Sequence, residues 1–237
     1  MNGGLWVDSL TKRYGATVAV DRLSFGVAPG EILAVAGPNG AGKTTTLLCM
    51  AGLLRPDAGL FFWQSRPLGP ERTRSMALIP ETPEVYEMLT VWEHLVFVAK
   101  SCRLADGWGQ QAEALLDRLA IADQRDTLGQ ALSKGMRQKV LVAAAVLAGT
   151  PVLLLDEPMI GLDPRGQREL KGILQELRAQ GRALVVSTHL LGYIEGLCDR
   201  VLILKRGRAA ALDTVDGLLA GGDGKSLEDR FLEIVES

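Results

Sequence analysis

Gly37-Pro38-Asn39-Gly40-Ala41-Gly42-Lys43-Thr44-Thr45 follows the apolar run Ile32-Leu33-Ala34-Val35-Ala36 and leads into Thr46-Leu47-Leu48-Cys49-Met50-Ala51. The run before it is short enough to be one buried strand, and the segment after it reads as a helix. Glycine, four residues, then glycine, lysine and threonine is the spacing of a phosphate-binding loop. Glycines let the backbone wrap closely around an oxyanion, so that several N–H groups point inward at once. The helix behind adds its positive N-terminal end. In such a loop Lys43 reaches the β- and γ-phosphates, and the Thr44 hydroxyl binds Mg²⁺. The plainer alternative is a glycine-rich turn, and the strand–loop–helix setting weighs against it.

Upstream, Leu5 to Leu10 and Val18 to Phe25 alternate in the manner of strands, with a turn at Tyr14-Gly15 and a break at Pro29-Gly30. Arg55 to Gly59 marks another turn. From Thr90 the period becomes helical. Thr90 and Glu93 form a capping box, and Leu95, Val98, Ala99 and Cys102 are expected on one face. Gly107 and Gly109 mark a loop, and a second helix follows with Ala112, Leu115, Leu116 and Leu119 along one side. A third helix is expected from Ser133 to about Gly149. Then come two buried strands, Val152–Leu155 and Ala183–Ser187, separated by a helix with Asp163 as N-cap, Pro164 in its first turn and Gly181 past its end. Val201 to Leu212 has a hairpin pattern. Gly221 to Gly224 reads as a linker before an amphipathic tail, Leu227 to Val235. Strands alternating with helices imply an α/β fold with a mostly parallel sheet and a ligand site at its C-terminal edge.

The chain has 237 residues, enough for a substantial core, and ordinary globular proportions of 47% hydrophobic and 23% charged residues. A net charge of −2 gives no sign of a nucleic-acid surface. Cys49, Cys102 and Cys198 have no paired spacing, which fits reduced thiols in the cytosol. The first residues lack the pattern of a signal peptide. The longest apolar stretch, Val140 to Leu155, is broken at Gly149-Thr150-Pro151, each part far short of the roughly 20 residues a bilayer span requires. The chain is therefore not expected to cross a membrane by itself.

Three further signals carry chemistry. Val152-Leu153-Leu154-Leu155 ends in Asp156-Glu157, so that one acid can hold Mg²⁺ and the next can sit beside a γ-phosphate and polarise water. Taken alone, that pair also fits a helix N-cap in a loop. Leu132-Ser133-Lys134-Gly135-Met136-Arg137-Gln138 opens the third helix, with Ser133 a natural N-cap and Gly135 leaving room for an anion; taken alone, a well-capped helix is the better explanation. Ser187-Thr188-His189 closes a strand, where a histidine is more often a hydrogen-bonded core residue than a catalytic one. His94 lies on a helix face and takes no role.

In this order the segments resemble the ATP-binding cassette (ABC) family of transporter ATPases, over residues from about 5 to 213. Gly37–Thr45 is similar to the Walker A motif, Asp156-Glu157 to Walker B with its catalytic glutamate, and Leu132–Gln138 to the signature motif. Gly161-Leu162-Asp163 resembles the D-loop, His189 the switch histidine, and Tyr14 the aromatic residue that stacks on adenine. There are two departures. Lys134 stands where the signature has glycine, with Ser133 and Gly135 retained. Glu81, in Ile79-Pro80-Glu81-Thr82-Pro83, stands where the family has the Q-loop glutamine. A carboxylate there can still coordinate Mg²⁺, but the amide donor is lost. The Leu-Ser-Lys-Gly-Met signature, Pro80-Glu81 and the terminal Ser226–Leu232 look most like ABC-2-type exporters.

The resemblance implies a P-loop NTPase domain over residues 1–213, with an N-terminal antiparallel β subdomain, a core of 1–89 and 150–213 and an inserted helical subdomain of 90–149. Residues 214–237 would be a linker and short helical tail. It implies ATP and Mg²⁺ as ligands and a head-to-tail homodimer. Each nucleotide would lie between the Walker A loop of one subunit and Ser133, Gly135 and Asp163 of the other. Lys43, Glu157 and His189 would be catalytic, and Thr44, Glu81 and Asp156 would face the metal. Transport would run through a separate transmembrane subunit, with this chain on the inner face of the cell membrane. Val85, Tyr86, Met88 and Leu89 suit a contact with that subunit, and suit a core equally well. A soluble ABC ATPase or a nucleotide sensor is the competing assignment. Glu157 with His189 argues against a sensor, which needs neither.

Overall fold

Along strand β3 (Ile32–Ala36) the side chains divide between two cores, Ile32, Ala34 and Ala36 entering one and Leu33 and Val35 the other. β7 (Val152–Asp156) and β8 (Ala183–Thr188) repeat the pattern: Leu153, Leu155, Leu184 and Val186 face the first core, and Val152, Leu154, Ala183 and Val185 the second. A sheet buried on both faces needs apolar residues at every position. This is why these strands read as continuous hydrophobic runs. Each buried leucine or valine contributes roughly 1.5–3 kcal/mol.

The computed structural model describes residues 3–69, 72, 74–193, 195–220 and 225–236. β3, β7 and β8 belong to a six-stranded sheet with β6 (Met76–Ile79), β9 (Arg200–Lys205) and β10 (Arg208–Thr214), in the order β10-β9-β3-β8-β7-β6. Only the β9–β10 hairpin is antiparallel. A separate antiparallel sheet, ordered β2-β1-β4-β5, contains β1 (Leu5–Tyr14), β2 (Thr17–Val27), β4 (Ala58–Trp63) and the short β5 (Arg66–Pro67). Its inner face shares the second core with α1 (Lys43–Ala51). The first core is covered by α2 (Val91–Ser101), α3 (Trp108–Arg118), α4 (Lys134–Ala148) and α5 (Pro164–Ala179).

Helix starts follow their caps. Thr90 Oγ1 accepts from Glu93 N at 3.1 Å while the Glu93 carboxylate accepts from Thr90 N at 2.8 Å. The Thr90 backbone N–H holds the Glu93 carboxyl below the usual range. Ser133 caps α4 through Met136 N at 3.3 Å and Asp163 caps α5 through Gly166 N at 2.7 Å.

Some local expectations need correction. Cys102 is exposed, because α2 ends at Ser101 and the chain turns away at Arg103, whose φ is 53°. Val91 and His94 fill the buried stripe with Leu95 and Ala99, and Val98 is half-buried. α1 starts at Lys43 rather than Thr46, and α3 already contains Gly109. β4 begins inside the turn expected at Arg55–Gly59, since Ala58 pairs with Thr11. A short helix, α6 (Val215–Leu219), went unforeseen. The expected linker Gly221–Gly224 lies outside the described residues. α7 (Leu227–Glu236) buries Leu227 in the first core, and Arg230 Nε donates to Leu218 O at 3.0 Å. Among the described residues no helix is long and apolar enough to cross a membrane.

β3, β8 and β7 are parallel neighbours, so their C-terminal ends share one edge. The loop 37–42, Glu157 and His189 emerge side by side from it.

Candidate active site

The loop after β3 is shaped by steric limits. A Cβ on Gly37 would lie 2.7 Å from Leu204 O and 2.9 Å from Ala41 Cβ, so only glycine fits against β9. Gly42 has φ 104° and a Cβ there would meet Ala19 O at 2.5 Å. The Gly207 N–H, in the β9–β10 turn, donates to Ala41 O at 3.0 Å, and Gly207 O accepts from Asp21 N at 2.8 Å. The loop is thus clamped between β2 and β9. Gly42 offers no side chain to cap α1, in contrast to Thr90, Ser133 and Asp163 on the helices α2, α4 and α5. The first N–H groups of α1 are therefore left for a ligand.

Lys43 is 7% exposed; its Nζ donates to Gly37 O at 2.8 Å and faces Glu157 Oε1 at 3.6 Å. His189 Nδ1 lies 2.8 Å from the same oxygen. Glu157 is 6% exposed and follows the end of β7 with φ 47°, a left-handed conformation that costs a non-glycine residue ~1–2 kcal/mol. Two groups hold that turn. The Glu157 N–H donates to Ser187 Oγ at 3.0 Å, and the Ser187 hydroxyl donates to Asp156 Oδ1. Successive residues leave the strand in different directions, so Asp156 and Glu157 serve different spaces.

Those spaces adjoin. Loop residues 39–45, with Ala19, Glu81, Glu157 and His189, line a cleft of about 520 Å³. A second hollow of about 540 Å³ shares Thr44 and Glu81 with it and has Asp156 in its wall. The donors of Thr44, Asp156 and Glu81 are all oxygen, the type Mg²⁺ requires. The cleft therefore combines uncapped N–H groups, a buried ammonium and hard oxygen donors, a set that suits a nucleoside triphosphate with its divalent ion.

The profile of the ABC transporter family matches residues 20–160, more than half of the chain. The chain belongs to the ABC transporter ATPase family. Members of this family bind and hydrolyse ATP to power transport. The chain is 35% identical over 210 residues to the lipopolysaccharide export system ATP-binding protein LptB of Acidithiobacillus ferridurans, covering 86% of this chain and 87% of that protein. It is 35% identical over 204 residues to the SkfA peptide export ATP-binding protein SkfE of Bacillus subtilis (strain 168), covering 85% of each. A solved structure described as the ATP-binding subunit of an ABC transporter superposes with a TM-score of 0.91 at 36% identity, covering 97% of this chain and 98% of that one.

Within this ABC ATPase, the structure brings Gly37–Thr45, Glu81, Asp156, Glu157 and His189 together. Four expected site residues fall elsewhere. Ser133 is exposed and Gly135 half-buried at the start of α4, where a Cβ on Gly135 would meet Gly161 O at 2.8 Å. Asp163 caps α5, and Tyr14 is 51% exposed at the end of β1, with Lys12 Nζ 5.6 Å from its ring centre. None of these lines the cleft. Sequence reasoning passed over Ser187 and His94. His94 Nε2 accepts from Tyr86 N at 2.8 Å and its Nδ1 is 2.7 Å from Thr90 O, tying the 80s loop to α2. The signal for Ser187 was a hydroxyl directly after the apolar run Ala183–Val186, at a buried end of the strand.

Proposed function

We propose that two copies of this chain clasp two ATP molecules head to tail, and that closing and reopening of the pair drives export through a separate transmembrane subunit. The convergence of Lys43 and His189 on one carboxylate oxygen of Glu157 carries this reading. It gives a cation for the phosphates, a base for water and a partner for the base in one cleft. Ser133 and Gly135 lie outside that cleft's lining, so a second copy is needed to bring them to the γ-phosphate, with Asp163 at the crossing point and Tyr14 under the base.

Glu157 would take the proton of the attacking water, Lys43 would balance the phosphate charge, and His189 would hold the Glu157 carboxylate in line. Mg²⁺ held by Thr44 and Asp156, with Glu81 on the same side, would neutralise the phosphate oxygens. We assign residues 1–213 to one ATPase domain with a helical insert at 90–149, and 214–237 to a linker and tail. Export follows the relatives, LptB and SkfE, whose names state it. The transmembrane subunit would hold this chain at the inner face of the cell membrane. It would meet Tyr86 and Met88, which are 59% and 73% exposed, Tyr86 lying edge-on against Phe97.

Dilution tests the pairing. ATP turnover per chain is expected to fall steeply as the concentration drops below the dimerisation constant. Undiminished turnover at extreme dilution would overturn it.

A further inference from the structure

We propose that Ser187 is a positioning residue for hydrolysis, its single hydroxyl fixing both the metal-facing and the water-facing carboxylate; this rests on the role given above to Glu157. Ser187 is fully buried, opposite Asp156 on β7 and Val35 on β3. Val185 and Val186, which precede it in β8, are equally buried and offer no polar atom beyond the backbone, and Thr188, which follows it, pairs its hydroxyl with the backbone of Leu190. The hydroxyl donates to Asp156 Oδ1 and accepts from Glu157 N at 3.0 Å, using its proton on one residue and a lone pair on the next.

This arrangement acts on geometry. Glu157 has a left-handed backbone, with φ 47°, and the bond to its N–H comes from a strand rather than from its own loop. Without it the residue can relax toward ordinary φ, and its carboxylate swings away from His189 and Lys43. Asp156 would lose the donor that pins one of its oxygens, leaving the carboxylate free to rotate away from the wall it shares with Thr44. Ser187 thus links β7 and β8 at the point where both strands deliver chemistry, and does so without touching the cleft itself.

The test compares Ser187→Ala, Ser187→Cys and Ser187→Thr with Glu157→Gln, well below each variant's melting temperature. Support for a positioning role lies in outer partners of this kind changing activity or metal affinity by about 10- to 100-fold. Ser187→Ala is expected to lower kcat by that order while KM for ATP changes by less than about twofold. Equilibrium binding of a fluorescent ATP analogue should gain less from added Mg²⁺ than in the wild type, a readout independent of turnover. Ser187→Thr, which keeps the hydroxyl, should restore kcat, and Ser187→Cys, a weak donor of similar volume, should fall between. If Ser187→Ala does not fold, the order Thr above Cys carries the test. Wild-type kcat and Mg²⁺ response in Ser187→Ala or Ser187→Cys, beside an inactive Glu157→Gln, would overturn the positioning role alone. An active Glu157→Gln would overturn the assignment of Glu157 and this proposal with it.

Discussion

Nδ1 of His189 lies 2.8 Å from Oε1 of Glu157, the oxygen that also faces the Lys43 ammonium at 3.6 Å. A carboxylate so placed is oriented from two sides, by a ring at the end of β8 and by a cation at the start of α1. Removing the ring should disturb orientation and leave the phosphate loop intact. His189→Ala is expected to lower kcat by about 100-fold, within the range for acid–base groups, with affinity for a fluorescent ATP analogue within about twofold of wild type. Equal loss of binding and turnover would place His189 in nucleotide binding instead.

Glu157→Gln keeps the shape and removes the base. Hydrolysis should fall by roughly 10²- to 10⁴-fold while ATP still binds. Uncleaved nucleotide should then hold the two copies together, giving a particle of twice the mass by light scattering when ATP and Mg²⁺ are present. A monomer under those conditions would count against the pairing.

Lys43→Ala removes the only side-chain cation that lines the cleft among the described residues. Bonds to charged groups are worth about 1.5–3 kcal/mol, so nucleotide affinity should drop by roughly 10- to 100-fold. Calorimetric titration with a non-hydrolysable analogue checks this, and unchanged affinity would contradict the role of Lys43.

Met88→Glu places a charge on the most exposed apolar side chain of the 80s loop. Basal turnover of the isolated chain should be unchanged, since Met88 lines neither the cleft nor the adjoining hollow. Co-purification with the transmembrane subunit should be lost. Full retention would move the contact to another surface.

Burial raises the Cys49 thiol from the ordinary 9.0 to about 11 and that of Cys198 to about 12. Between pH 9 and 11 the folded chain keeps a Cys49 proton that the unfolded chain releases, so stability must fall as pH rises through that window. A thiol held back in this way adds about 1.4 kcal/mol per pH unit to the slope. Cys49→Ala should make the fall of urea-measured stability over that interval shallower by about 1.4 kcal/mol per pH unit, the share of Cys198 remaining. Against a thiol reagent at neutral pH, exposed Cys102 should react first, and Cys49 only after unfolding.

What could be read from the chain was what short-range chemistry decides. The strand before the phosphate loop, the Thr90–Glu93 box and the caps at Ser133 and Asp163 each depend on residues within four positions, and each stands where expected. Cys102 was misplaced because helical period alone cannot show that α2 stops one residue earlier. His94 was given no role, and Ser187 none of its own, because their partners, Asp156, Glu157 and Tyr86, come from other elements. Ser133, Gly135, Tyr14 and Asp163 stand outside the lining of the cleft, and the roles proposed for them follow from the family pattern rather than from their surroundings.

β3 is flanked by β8 and β9, and Gly37 sits against Leu204. During synthesis the nucleotide-gripping segment leaves the ribosome early, yet the walls that shape it arrive more than a hundred residues later. A nascent or truncated chain ending before the β9–β10 turn should therefore gain no protection from ATP against proteolysis. Quality control of this ATPase would then rest on chain completion, with nucleotide stabilising only those molecules whose final strands are already in place.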